Sequence, residues 1–371
     1  MNTVTPRIFI AATEQNDGKT TTSLGLFAAL QKRLGRIGYI KPVGQRFVSV
    51  DGVKIDEDSV LIDQTYKVHT PLADMSPIAI EPDFTRKYIE EANHDNLVRR
   101  IQHSFDRAAW EKDFVIIEGS GHAGVGSVFD LSNATVARIL GSKVILVTRG
   151  GIGRPVDEIA LNKALFEREG VEVLGAIVNK VLPAKYDVVR EFAGRGLARL
   201  GVELLGCIPE DPILAKPTLG QICKTIKGKF LHGSERSRRQ VKNVVIGAMS
   251  TARVTDFFTP GTLIISPGDR EDILLAALAS SDQPASDGNR LAGLILSGDT
   301  LPDAHVLELL KNSHLPVISS ALDSYTVASN IHSMTVKTLP GDVEKIDKIQ
   351  SLIEKEVAIN RLLEKIGVKL K

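Results

Sequence analysis

The sequence predicts an α/β fold: a doubly wound, mainly parallel sheet followed by a second, smaller α/β domain. Three observations carry that expectation. Short, uninterrupted apolar runs recur along the chain, as strands covered on both faces require. Helical patterns separate several of them. The first apolar run, Arg7 to Ala12, passes through a short polar loop into Gly18-Lys19-Thr20 and a helix-forming stretch through Leu34. Such a unit aims backbone N–H groups at one point and makes a phosphate-binding loop.

The elements follow in order. Ile8–Ala12, Ile37–Ile40, Phe114–Ile117, Val144–Val147, Val173–Val178 and Leu204–Ile208 read as parallel strands. Thr135–Leu140, Pro155–Glu169 and Lys185–Leu200 read as helices between them. Pro155 suits a first helical turn, and Asp157 and Glu158 lie beside the positive end of its dipole. Lys224 to Lys242 holds seven lysines and arginines against the single Glu235 and shows no clear period, so it reads as an exposed linker. Beyond it, Val244–Ala248, Leu263–Ile265, Leu291–Leu296 and Pro316–Ser319 read as strands, with helices at Arg270–Ala279, Asp303–Asn312 and Asp342–Glu364. The expected division is a nucleotide-binding domain over 1–225, a basic linker over 226–242 and an α/β domain over 243–371 that includes the C-terminal helix.

Composition bounds the function classes. At 371 residues the chain exceeds what one core usually organises, which predicts two domains. Hydrophobic content of 43% with only 5% aromatics describes an aliphatic α/β protein. A net charge of +1 gives no global electrostatic case for a nucleic-acid partner or an acidic membrane surface. Cys207 and Cys223 lack metal-ligand spacing and read as reduced structural thiols. With no basic-then-apolar leader and no run of eighteen apolar residues, a cytoplasmic protein without a membrane partner is expected.

Candidate chemistry gathers at strand ends, where ligands of such sheets bind. Gly18 admits close backbone approach, Lys19 supplies a point charge for β/γ-phosphates, and the Thr20 hydroxyl suits Mg²⁺. Thr13 stands where the strict G-x-x-x-x-G-K-[ST] pattern has its first glycine. Glu118 ends a buried strand and precedes the turn Gly119-Ser120-Gly121, which delivers its carboxylate toward the phosphate site. Asp56, Glu57 and Asp58 read either as a metal-binding group or as the acidic cap of a helix. The loop Arg149 to Pro155 reads equally as an anion contact or a structural turn, and His122 is the one histidine placed near the chemistry.

The segment Ala12 to Thr20 resembles the [GA]-T-x-x-x-x-G-K-T loop of dethiobiotin synthetase and its cobyrinic acid diamide synthase relatives, and Lys41-Pro42-Val43 resembles their K-P-V segment. The resemblance implies a P-loop NTPase that binds ATP and Mg²⁺, with Lys19 and Lys41 as the catalytic lysines. It further implies nucleotide contacts from Thr13, Asn16, Asp17, Gly18, Lys19, Thr20 and Thr21. Asn179 resembles the family's strand-end asparagine that reads the nucleobase edge. Thr20, Asp58 and Glu118 become the Mg²⁺ ligands, with Asp56 the alternative to Asp58.

Further along, Ser266 to Asp272, with Gly247 to Ser250 before it and Gly293 to Gly298 after it, resembles the DRTGG domain, although only Asp269-Arg270 of the namesake motif is kept. The pair of resemblances matches the N-terminal part of long bacterial phosphotransacetylases. The acetyltransferase domain that follows there is expected to be absent, the chain ending in a charged helix at Lys371. Two functions stay open. One is an ATPase coupling nucleotide state to a second-domain ligand or partner. The other is a ligase activating a small carboxylate or carbamate by phosphorylation. A homodimer or higher homo-oligomer and an unidentified small molecule are the implied partners.

Overall fold

Six parallel strands make the main sheet, in the order Leu204–Pro209, Val173–Val181, Lys143–Arg149, Arg7–Ala12, Phe114–Glu118 and Ile37–Ile40. The computed structural model describes residues 1–281 and 291–368. The strand Arg7–Ala12 is central and wholly buried, as its unbroken apolar run requires. The chain first winds outward to Ile37–Ile40, then crosses to Lys143–Arg149 and proceeds to the opposite edge. Its helices lie on the two faces, and the carboxyl ends of the strands converge on one rim. All six predicted strands and the helices Asn133–Ile139, Gly153–Arg168 and Tyr186–Arg199 appear where the periodicity put them, to within a few residues.

The chain divides into two units, Met1–Asp211 together with Thr338–Lys371, and Pro212–Lys337. The expected division at 225, 226–242 and 243–371 is corrected on two counts. First, the basic stretch is not an exposed linker. Lys229–His232 pairs antiparallel with Val317–Ser319, Val241 is buried, and Arg239 donates to the Leu291 carbonyl at 3.0 Å. Its basic residues are spread over a helix end, a short strand and the turns around them, which hid the period.

Second, the C-terminal helix belongs to the first unit and is two helices, Val343–Glu356 and Ile359–Ile366. Val357 between them is extended and bridges Gly206 at the sheet edge, while Ala358 N–H donates to the Leu205 carbonyl at 2.8 Å. Ile349 and Ile353 are buried, and an added Cβ at Gly25 of the helix Lys19–Leu34 would lie 2.2 Å from Ile353 Cγ1. Arg33 holds Glu354 through both terminal nitrogens, and Tyr66 OH donates to the Leu24 carbonyl while accepting from Gln350. Helical periodicity alone cannot tell which core such a segment joins. Lys371 lies outside the described residues.

The second unit is a five-stranded sheet of Lys229–His232, Val317–Ser319, Gly293–Ser297, Thr262–Pro267 and Asn243–Ile246, parallel apart from the first strand. Apolar clusters fill both its faces, one around Leu263, Ile265 and Ile318, the other around Ile264, Leu294 and Leu296. No helix among the described residues is long and apolar enough to cross a membrane.

Candidate functional site

The loop after Arg7–Ala12 is fixed from within and from the neighbouring strands. Thr13 Oγ1 lies 2.9 Å from Asp17 Oδ2, 3.0 Å from Thr148 Oγ1 and 2.9 Å from Glu158 Oε2. Asp17 Oδ2 also accepts the Glu14 N–H at 2.8 Å. The side chain where the strict pattern has glycine is therefore used to knit the loop. Gly18 has φ +105°, a left-handed conformation that costs other residues free energy, and it precedes the helix Lys19–Leu34, which has no acid in its first turn. Its uncapped N-terminus suits an anion.

From the far side of the loop, Asn179 Nδ2 donates to the Asp17 carbonyl at 2.8 Å, and Lys180 Nζ donates to the Asn16 carbonyl at 2.7 Å. The expectation that Asn179 reads a nucleobase edge meets an amide nitrogen already engaged with the loop backbone. Thr21 lies in the first turn of the helix, half-buried, and no side-chain hydrogen bond links it to the other site residues.

Beneath the loop lies a buried group of opposite charges. Ile40 pairs with Ile117 in the sheet, which brings Lys41 and Glu118 to neighbouring strand ends. Lys41 Nζ contacts Asp58 Oδ2, lies 3.1 Å from Asp56 Oδ1 and 3.8 Å from Glu118 Oε1. Glu118 is wholly buried; it accepts from Thr20 Oγ1 at 2.9 Å and from Tyr39 OH at 3.0 Å. Asp56 also caps the helix Glu57–Tyr66 through the Asp58 N–H at 2.9 Å. The cap reading of the acidic triplet is thus observed at Asp56, and Asp56 and Asp58 also pair with Lys41.

Burial governs the proton affinities here. It lowers Lys19 from the ordinary lysine value to about 8, against the attraction of Glu118. Burial also opposes the charge of Lys41, but Asp58, Asp56 and Glu118 outweigh it and raise that lysine above its usual range. Glu118 and Asp56 are both raised, chiefly because burial disfavours their charged forms. The donors are hydroxyl and carboxylate oxygens, the set that Mg²⁺ takes, and Thr20 and Glu118 already adjoin. Among the described residues no three His, Cys, Asp or Glu side chains form a metal cage of their own.

The remaining candidates are not drawn in. His122 is exposed and its Nδ1 accepts the Gly124 N–H at 3.2 Å, so the ring closes its own turn. Arg154 pairs with Glu14 at 2.7 Å and with Glu158, on the rim of the loop. Arg149 is exposed at its strand end. In the second unit Arg270 holds Asp272 through two nitrogens at 2.9 Å and donates to the Gly247 and Met249 carbonyls, which ties that loop to itself. Cys207 and Cys223 are free and buried.

Three contributors went unread in the sequence. Tyr39 shares a strand face with Lys41, and an aromatic hydroxyl in an aliphatic run was the available signal. Lys180 adjoins a residue already singled out. Asn133 pins the turn after Glu118 by pairing with Ser120 N–H and carbonyl at 3.0 and 2.8 Å, and no local pattern marks it.

Residues 6–218 match the AAA domain family and residues 221–334 the DRTGG domain family. The chain is 29% identical over 376 residues to a phosphate acetyltransferase of Pseudomonas aeruginosa, covering 97% of this chain and 52% of that protein. It spans about half the length of the curated relatives it matches. Among solved structures, the septum site-determining protein MinD complexed with Mg-ADP from Pyrococcus horikoshii is 17% identical, with a TM-score of 0.35 over 57% of this chain and 84% of that one. The CBS and DRTGG domains of the regulatory region of Clostridium perfringens pyrophosphatase, complexed with the activator diadenosine tetraphosphate, are 21% identical, with a TM-score of 0.27 over 48% and 86%.

Proposed function

We propose that this chain, which belongs to the AAA domain family over residues 6–218 and carries a DRTGG domain over 221–334, is an ATP- and Mg²⁺-dependent ATPase whose nucleotide state is coupled to ligand or partner binding by the second unit. One observation carries the reading. A loop fastened for anion binding opens a helix free of acid, directly above two buried lysines and a set of carboxylates. In that arrangement Thr13, Asn16, Asp17, Gly18, Thr20 and Thr21 line the phosphates, and Lys19 and Lys41 balance the charge of the transferring γ-phosphoryl group. Thr20, Glu118 and Asp58 are the residues that would hold Mg²⁺, with Asp56 the alternative; the ion would neutralise phosphate charge. Lys41 is held by those same carboxylates, which would also be the ones to hold the ion were it bound.

A carboxylate- or carbamate-activating ligase is the second reading. It is favoured by the hairpin Phe47–Val50 with Val53–Asp56, which ends at Asp56 beside Lys41 and leaves Ser49 exposed, while Lys54 pairs with Glu81 at 2.6 Å. Acetyl transfer, the activity named for relatives about twice as long, is not proposed for these residues alone.

ATP hydrolysis with Mg²⁺ tests both readings, first alone and then with diaminopelargonate plus bicarbonate and a panel of small carboxylates. A basal rate indifferent to every acid supports the ATPase. Strong stimulation by one acid makes the protein a ligase. Lys19→Ala weakens nucleotide binding by about 100-fold, and Glu118→Gln spares binding more than turnover. Unchanged turnover in both variants removes the site from consideration.

A further inference from the structure

We infer that Asn179 and Lys180 are positioning residues that set the affinity of the phosphate loop by gripping its backbone, an inference that rests on the nucleotide-binding reading above. The argument starts from the peptide unit. A trans peptide is planar, so the carbonyl of one residue and the N–H of the next point in opposite directions. Asn179 Nδ2 takes the Asp17 carbonyl at 2.8 Å, and Lys180 Nζ takes the Asn16 carbonyl at 2.7 Å. With those two carbonyls held on the side of Val173–Val181, the N–H groups of Gly18 and Asp17 are turned to the other side of their peptide planes. Two successive N–H groups presented together form a nest for an anion.

Three further observations belong to the same grip. Asn179 is buried, and its Nδ2 would be 2.0 Å from a Cβ added at Gly18, so the amide occupies the space that a side chain at position 18 would fill. Asn16 and Lys180, joined by one hydrogen bond, both take left-handed backbone with φ of 66° and 56°, a conformation uncommon outside glycine. Gly150, on the neighbouring strand end, comes so near that an added Cβ would meet the Lys180 carbonyl at 2.7 Å. The lysine's backbone is thus fixed from one side while its side chain reaches to the other. These contacts act through the loop and not on a base.

The test measures equilibrium binding of ADP, GDP and inorganic tripolyphosphate to the full chain and to N179A, N179D, K180A and K180R. Tripolyphosphate has no base, so it reports the loop alone. The expected result is that N179A, N179D and K180A each weaken all three ligands by one common factor of about tenfold. K180R keeps wild-type binding, and the loss of affinity across the variants does not scale with their changes in unfolding midpoint. Loss of ADP-over-GDP preference in N179A with tripolyphosphate binding unchanged overturns the inference and makes Asn179 a base reader. Weakened binding that tracks a fallen unfolding midpoint overturns it too, leaving only a structural tie. A wild-type protein that binds none of the three overturns the nucleotide reading and the inference with it. Failure of the inference alone leaves wild-type binding intact.

Discussion

The two units share a parallel sheet with apolar packing on its faces, yet they treat charge in opposite ways. Among the described residues the first unit buries Arg7, Asp17, Lys19, Lys41, Asp56, Glu118 and Lys345. The buried polar side chains of the second are all neutral: Thr218, Thr262, Ser266, Ser281, Ser297, Ser313 and Ser320. The charged groups of its strand-end loops stay near the surface and answer one another, as Arg270 answers Asp272 and as Asp323 caps the helix Ser324–Ser333. Desolvating a charge costs several kcal/mol unless partners offset it. The second unit therefore builds its sheet without that cost, whereas the first carries most of it around the loop and Lys41, with Arg7 at the other end of its strand and Lys345 in the C-terminal helices as exceptions. The buried charge around Lys41 distinguishes the two units, which parallel pairing alone does not.

The strongest way to break the comparison is to remove the cation that holds the buried acids together. Lys41→Met leaves Asp56, Asp58 and Glu118 facing one another with only the more distant Lys19 as counter-charge, and a buried ion pair broken from one side loses about 3–5 kcal/mol. Urea unfolding at neutral pH reads this as a lower midpoint. The sign with pH follows from the carboxylates. Asp56 and Glu118 already have raised folded-state proton affinities, so the deficit is present at neutral pH and recovers as they protonate on acidification. Arg270→Met in the second unit leaves the midpoint nearly unmoved, because that pair is exposed. Equal losses in the two variants would erase the distinction.

A smaller effect separates the units by their packing. Ile353 is buried against Gly25, so Ile353→Ala destabilises the first unit by about 2–4 kcal/mol through the cavity it leaves. Gly25→Ala forces a Cβ onto Ile353 and is destabilising alone by about 1–3 kcal/mol. Combined, Ile353→Ala removes the Cγ1 contact but leaves its Cβ 2.6 Å from the added one, so the double variant is only modestly more stable than the sum of the singles predicts. Strict additivity would mean that the C-terminal helices do not pack as described.

How much of this was open to reading in the chain depends on range. The strands of both sheets, Lys229–His232 apart, were legible because uninterrupted aliphatic runs such as Phe114 to Ile117 permit little else. Lys19, Thr20 and Glu118 were read from their places after such runs, and Lys41 from its resemblance to the K-P-V segment. The helices Phe84–Glu90 and His94–Ala108 and the hairpin ending at Asp56 were not anticipated, since they lie between strands in stretches of mixed polarity. Neither was the return of Val343–Glu356 to the helix Lys19–Leu34, because nothing local to Ile353 names Gly25 as its neighbour. The Asn179 contact is of another kind. The residue was found, but which atom its amide faces is decided by a loop some 160 positions earlier.

The pH dependence of Lys19 gives the finest test of buried charge, because binding and stability must move in opposite directions. Burial lowers this lysine to about 8 in the free protein, whereas the unfolded chain keeps the ordinary value near 10.5. Polyphosphate binds the protonated form. Nucleotide affinity is therefore full below pH 8 and falls above it, by up to about tenfold per pH unit. Over the same window the unfolded chain binds more protons than the native one, so the contribution of Lys19 to stability rises with pH. Isothermal titration between pH 7 and 10, alongside urea unfolding at each pH, reads both slopes. Lys19→Arg keeps its charge throughout and flattens both profiles, since a guanidinium does not titrate in this range. Slopes of the same sign in the unaltered protein would place the titrating group elsewhere, and the buried ammonium of the first unit would lose its part in binding.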